Sequence, residues 1–273
     1  MPDRLRLAKP KVGPFWSIDA PVGTLKRHVT TLRAILFDFG GTLDLSSHWL
    51  DRFLQCYRAA GFELQREEFD KAFSHATRAG YAAERPIENL GLAGLVEFLV
   101  ARQFEYLKTE GPRGTRQILQ RAETAGRAKL AERIAAVFVR ETSEGLRRNR
   151  RVLEELRPRF KLGVVSNWYG NLEAVLSEAG MRTFLDVVVD STREGVFKPD
   201  PLIFELALRK LQVDAAETAM VGDSILKDCV PAHRLGMRTI LIDAGARASK
   251  DVRAPGLPDH TIGSLEQVLA IQW

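Results

Sequence analysis

Four short segments of this 273-residue chain carry side chains suited to chemistry at a phosphate. In chain order they read Asp38-Phe39-Gly40-Gly41-Thr42, Ser166-Asn167, Lys198-Pro199-Asp200-Pro201 and Gly222-Asp223-Ser224, with Asp228 following Asp223. A carboxylate such as Asp38 can attack phosphorus and form an acyl-phosphate, splitting one difficult displacement into two easier ones. The paired glycines behind it let the backbone turn sharply and approach a ligand. The Ser166 hydroxyl and neighbouring N–H groups suit a phosphoryl oxygen. Lys198 can pair with phosphate and offset crowded carboxylates, while Pro199 and Pro201 fix its loop and open a helix. Asp223 and Asp228 beside Asp38 would make an oxygen-rich set suited to Mg²⁺. Each segment alone has a plainer explanation: a capping Asp, a Ser-Asn turn, a surface lysine. Their joint occurrence in this order carries the argument.

The elements that must position these residues alternate. Residues 33–38 form a short apolar run ending in a turn, as a buried parallel strand does. The same pattern recurs at 162–166, 186–190, 219–223 and 239–243, with helices expected at 172–180, 201–210 and 228–235. Strands alternating with crossover helices predict an α/β fold with a Rossmann-like parallel sheet. Ligands in such sheets bind at the carboxyl ends of the strands, where Asp38, Ser166, Asp190 and Asp223 all fall. Between about 47 and 148 the apolar residues, such as Leu50, Phe53, Leu54 and Tyr57, recur at helical spacing. Gly61, Pro86 and Gly111-Pro112 punctuate that stretch into four to six helices. The expected organisation is an N-terminal extension at 1–31, a core from 32–46 and 149–273, and a helical insert at 47–148.

The composition is that of an ordinary soluble globular protein, with 45% hydrophobic and 27% charged residues. The net charge of +5 resides wholly in residues 1–33, which hold seven basic and two acidic side chains. The remaining 240 residues balance at 33 of each sign, so a basic body that tracks nucleic acid is not expected. The basic head reads as a tail or a strap, with Phe15 and Trp16 packing part of it down. No apolar run reaches the length of a membrane span, and no apolar signal core opens the chain. Cys56 and Cys229 lack metal-ligand spacing and read as reduced thiols of a cytoplasmic protein. The dense run Arg147-Arg148-Asn149-Arg150-Arg151 reads as a solvated helix face.

Taken together, the four segments resemble the motifs of the haloacid dehalogenase (HAD) superfamily of hydrolases, over about 33–243. Val165-Ser166-Asn167 and the stretch from Gly195 to Pro201 are similar to the phosphatase-rich branch that carries a helical cap between its first two motifs. The resemblance implies a HAD-like core, a cap formed by the helical insert, and Mg²⁺-dependent hydrolysis of a small phosphorylated metabolite by a monomer or homodimer. It implies Asp38 as nucleophile and metal ligand, with the Gly40 backbone carbonyl and Asp223 as further ligands and Asp228 supporting them. It implies Ser166, Asn167, Gly41 and Thr42 at the phosphoryl group, and Lys198 holding nucleophile and phosphate together. No nucleic acid or membrane partner is implied.

One position departs from that pattern. The phosphatases of the superfamily carry an acid–base Asp two residues after the nucleophile, and here Gly40 stands in its place. Glycine keeps the carbonyl but removes the proton donor, whose help is worth about 10²–10⁴ in rate. Three explanations follow. Another group donates, such as Asp44, His48, His75 or Tyr81; or the leaving group needs no proton; or the protein is a catalytically weak binder of a phosphorylated ligand or of a protein partner. The dehalogenase branch, which dispenses with metal, is disfavoured by the intact Gly222-Asp223 pair. The phosphonate-cleaving branch would need a lysine such as Lys71 from the insert.

Overall fold

The computed structural model describes residues 31–82, 87–243 and 257–273. Phe15, Trp16 and the rest of residues 1–30 lie outside them. The sheet has six parallel strands: β1 Ala34–Phe37, β2 Lys161–Ser166, β3 Val187–Asp190, β4 Thr218–Gly222, β5 Arg238–Ile242 and β6 His260–Ile262. Their spatial order is β3-β2-β1-β4-β5-β6. Among the described strands the first, β1, therefore lies inside the sheet, with β2 and β4 on either side. Side chains alternate across β1 as the pleat requires. Ala34 and Leu36 enter one apolar layer and Ile35 and Phe37 the other. With both faces covered, a parallel strand must be apolar throughout, which explains the uninterrupted run at 34–37. Five strands match the sequence expectation to within a residue. The sixth, β6, did not announce itself, because His260 and Thr261 are exposed and its run is only three residues.

Five helices fill the stretch between β1 and β2: α1 Trp49–Ala59, α2 Arg66–Ala82, α3 Leu92–Glu110, α4 Arg113–Arg121 and α5 Thr124–Leu156. The expected return to the core at 149 falls within α5, which continues to Leu156. The remaining helices are α6 Leu172–Glu178, α7 Ser191–Glu194, α8 Leu202–Leu211 and α9 Val230–Arg234. The helix expected from Asp228 is a single wide π-helical turn over Ile225–Cys229 followed by the short α9. Pro231 lacks the N–H of an ordinary helix residue and sits where the new helix begins. No helix among the described residues is long and apolar enough to cross a membrane. Cys56 and Cys229 are free and buried.

The insert shares its apolar layer with one face of the sheet. Phe53 of α1 stacks on Phe138 of α5 with centroids 3.9 Å apart, and both belong to the cluster that contains Ile35 and Phe37. Phe53→Ala is expected to destabilise the protein by about 3–5 kcal/mol, the usual cost of emptying a buried aromatic site. A chemical-denaturation midpoint that moves down at unchanged slope checks it.

Candidate active site

Asp38 follows β1, and its N–H donates to the Val221 carbonyl at 2.9 Å, so its backbone continues the ladder with β4. Ser166 ends β2 and its Oγ donates to Asp38 Oδ1 at 2.8 Å. Lys198 Nζ reaches the same oxygen at 2.8 Å and Asp228 Oδ1 at 2.6 Å. Both donors thus converge on one oxygen of Asp38. Burial by itself would lower the Lys198 pKa, but Asp228 and Asp38 more than compensate and hold the ammonium charged. Burial pushes Asp228 up to about 6, against the pull of Lys198 and with Asp38 adding to the rise. Its second oxygen accepts the Ser224 N–H at 3.0 Å.

One carboxylate oxygen from each of Asp38, Asp223 and Asp228 lies within 4.8 Å of the others. Asp38 and Asp228 share one ammonium, and Asp223 adds a third carboxylate. Hard oxygen donors in such excess suit a divalent cation. Two glycines make the crowding sterically feasible. A Cβ on Gly222 would collide with the Asp228 carboxyl group, and one on Gly41 with Asp223 Oδ2. Gly41 also has φ of +87°, a conformation costly for any residue with a side chain.

The turn after Asp38 is anchored from behind by Asp44, which is fully buried. Its Oδ1 accepts the N–H groups of Gly41 and Leu45, each at 2.7 Å. Its Oδ2 accepts Trp49 Nε1 at 2.6 Å and Arg52 Nη1 at 2.7 Å. Arg52 goes on to Thr142 of α5. Burial raises the Asp44 pKa, opposed first by Arg52. Asp44 is therefore a structural anchor, and the expectation that it might supply a proton is corrected. Asn149 of α5 adds a hydrogen bond from Nδ2 to the Leu43 carbonyl at 3.0 Å.

The loop after β2 is fixed in a similar way. Asn167 holds the Lys198 backbone with two bonds, Nδ2 to the carbonyl at 2.9 Å and Oδ1 from the N–H at 2.7 Å. Asp190, at the end of β3, accepts the N–H groups of Gly170, Leu172 and Thr192 at 2.9–3.1 Å. The sequence marks Asp190 only as a strand-end residue. Its position before Ser191-Thr192 is a capping signal that could have revealed the rest.

Asp38, Ser166, Lys198, Asp223 and Asp228 form the floor of a cavity of about 610 Å³, and α2 contributes the opposite wall with Phe73, Thr77, Arg78 and Tyr81. Gly40 is on the wall, whereas Gly41 and Thr42 are not. The Gly41 N–H is given to Asp44 and Thr42 is fully buried, so the expected phosphate contacts of these two residues have no place in this arrangement. His75 packs against Tyr106, and neither it nor Lys71 reaches the cavity. The arginines of 147–151 are exposed on α5, as a solvated face requires. His48 lines the cavity but caps α1, its Nδ1 accepting the Leu50 N–H at 3.2 Å. Tyr81 donates to the Asn167 carbonyl at 3.4 Å. Burial, with Tyr169, Asp190 and Asp38 adding, raises its pKa and keeps the phenol protonated.

Residues 32–236 match the family of haloacid dehalogenase-like hydrolases. The chain belongs to this family. The human haloacid dehalogenase-like hydrolase domain-containing protein 3 is 30% identical, the match covering 89% of this chain and 94% of that protein. The mouse protein of the same name is 37% identical over a segment covering 40% of this chain and 44% of its own length. The chain thus spans under half of that relative. A glyceraldehyde 3-phosphate phosphatase of Methanocaldococcus jannaschii is 34% identical over 41% of this chain and 49% of its own. Among solved structures, a dehalogenase with a bound intermediate superposes with a TM-score of 0.59 at 18% identity, covering 89% of this chain and 98% of that one. That likeness extends to the fold alone.

Two substitutions test how this chain holds its site together. Arg52→Met strands the Asp44 carboxylate in the interior and is expected to cost about 3–5 kcal/mol of stability, read by chemical denaturation. Gly222→Ala drives a methyl group into Asp228 and is expected to weaken divalent-cation affinity by about 10–100-fold, read by calorimetric titration.

Proposed function

We propose that this hydrolase removes the phosphoryl group from a small phosphorylated metabolite, with Asp38 as nucleophile. The observation that carries the reading is the paired grip of Ser166 and Lys198 on a single oxygen of Asp38. Their contacts fix the carboxylate and direct its other oxygen to attack, forming an aspartyl-phosphate that water then hydrolyses. Ser166 and Lys198, positioned by Asn167, would also hold phosphoryl oxygens. The donor set of Asp38, Asp223 and the Gly40 carbonyl, with Asp228 bracing it, suits Mg²⁺. When bound, that ion would offset the negative charge of the phosphoryl group and of the carboxylates around it.

The insert at 47–148 would act as a cap, α2 closing over the substrate and excluding water. The enclosed volume suits a small molecule rather than a nucleic acid, and the free thiols suit a cytoplasmic setting. The second reading, a catalytically weak binder of a phosphorylated ligand or partner, draws on one observation. Aromatic rings adjoin the space beside Gly40, where a general acid would stand.

Phosphate release from a panel of phosphate monoesters and acetyl phosphate separates the two. Activity is expected with Mg²⁺, lost with chelator, and reduced at least about 10³-fold by Asp38→Asn. Turnover that survives Asp38→Asn defeats the nucleophile assignment. Binding of phosphate ligands with no Asp38-dependent turnover selects the weak binder.

A further inference from the structure

An alkoxide leaving a phosphate ester needs a proton, whereas a carboxylate leaving an acyl phosphate does not. The cavity wall is therefore informative for the donors it offers. Gly40 has ordinary dihedrals, φ −76° and ψ 118°, so its backbone would accept a side chain. What adjoins it is aromatic: a Cβ there would lie 3.5 Å from Trp49 Cδ1 and Nε1, and 3.7 Å from Trp168 Cζ3. The two indoles meet edge to face with centroids 5.0 Å apart. Phe138 backs Trp49 at 4.8 Å and Phe39 backs Trp168 at 4.7 Å. The Trp49 N–H is committed to Asp44, so this wall is locked in place and offers no acid.

Three further polar groups on the wall are tied elsewhere, and Asp70, Arg78 and Lys227 also line the cavity. Asp228 has one oxygen on Lys198 and the other on the Ser224 N–H. The Tyr81 hydroxyl is directed at the Asn167 carbonyl. His48 turns Nδ1 to the Leu50 N–H. An aromatic surface beside Gly40, where a carboxylate would otherwise stand, fits a leaving group that departs as a stable anion.

Resting on the phosphohydrolase reading above, we infer that the substrate class is the acyl phosphates, mixed anhydrides of a carboxylic acid and phosphoric acid. In the first step, an Asp38 oxygen forms a bond to phosphorus while the bond from phosphorus to the acyl oxygen breaks. The electron pair leaves with the carboxylate, and no proton is required. In the second, water oxygen bonds to phosphorus, the bond to Asp38 breaks, and its electron pair restores the aspartate. The water proton passes to a phosphoryl oxygen and departs with inorganic phosphate.

The test is the leaving-group dependence of kcat/KM for the full chain with Mg²⁺. Acetyl phosphate, 4-nitrophenyl phosphate, phenyl phosphate and glycerol phosphate serve as probes. Acetyl phosphate is expected to exceed glycerol phosphate by about 10²–10⁴-fold, the usual worth of general acid help, with the aryl esters ranked by leaving-group acidity. Comparable values for glycerol phosphate and acetyl phosphate would overturn the inference while leaving the phosphohydrolase reading intact. Absence of Asp38-dependent release from every probe would defeat both. His48→Asn provides an independent arm, because Asn also caps helices well. The leaving-group ranking is expected to be unchanged in this variant. A selective loss of the alkyl and phenyl esters would identify His48 as the proton donor and overturn the inference.

Discussion

A single ammonium group in a buried place, bonded to two carboxylates, is the constraint around which this site is arranged. Lys198 Nζ lies 2.8 Å from Asp38 and 2.6 Å from Asp228. Removing such charges from water is expensive, and only close, correctly aimed contacts offset the cost. Much of the surrounding backbone serves that geometry. β1 and β4 must be neighbours so that Asp38 and the turn after β4 meet. Asn167 must clasp the Lys198 backbone from both sides. Position 222 must lack a side chain so that Asp228 can lie against it.

A second buried ion pair does for the turn after Asp38 what Lys198 does for Asp38 itself. Asp44 receives two backbone N–H groups from the turn and joins them to Trp49 and Arg52 of α1. Arg52 lies over the Phe138 ring at 4.3 Å and reaches Thr142 on α5. Gly145 lets α5 pass directly against the Asp44 carbonyl, where a Cβ would collide. The turn that carries Asp38 is thus braced by the first and last helices of the insert. This arrangement makes the position of Asp38 depend on packing well away from the cavity.

The same pair also explains why the wall beside Gly40 is aromatic. Asp44 fixes the Trp49 indole by its N–H, and Trp168 closes on it edge to face. The loop that carries Trp168 is pinned by Asp190 and Ser191, the latter accepting the Trp168 N–H at 3.0 Å. A wall so constrained has a definite chemical character: beside Gly40 it presents aromatic rings rather than a carboxylate. The site therefore combines a strongly held Asp38 with an aromatic surface beside it.

Much of this arrangement was written locally. Apolar runs of five or six residues ending in Asp or Ser mark buried parallel strands and place Asp38, Ser166 and Asp223 at strand ends, because each run must cover both faces of a sheet. Helical spacing in residues 47–148 marks the insert for the same reason of periodicity. The role of Asp44 was not legible, since it depends on Arg52 and, through it, on Thr142, 90 residues further along. Nor did the motif reveal that the Gly41 N–H is spent on Asp44 and that Thr42 is fully buried. The substitution of Gly40 for a carboxylate was plain in the sequence by itself, as were Asp38, Lys198 and the pair Asp223 and Asp228. What stands in the space beside Gly40 was decided only by tertiary structure, because Trp49 and Trp168 come from separate segments and meet there through packing that no local pattern encodes.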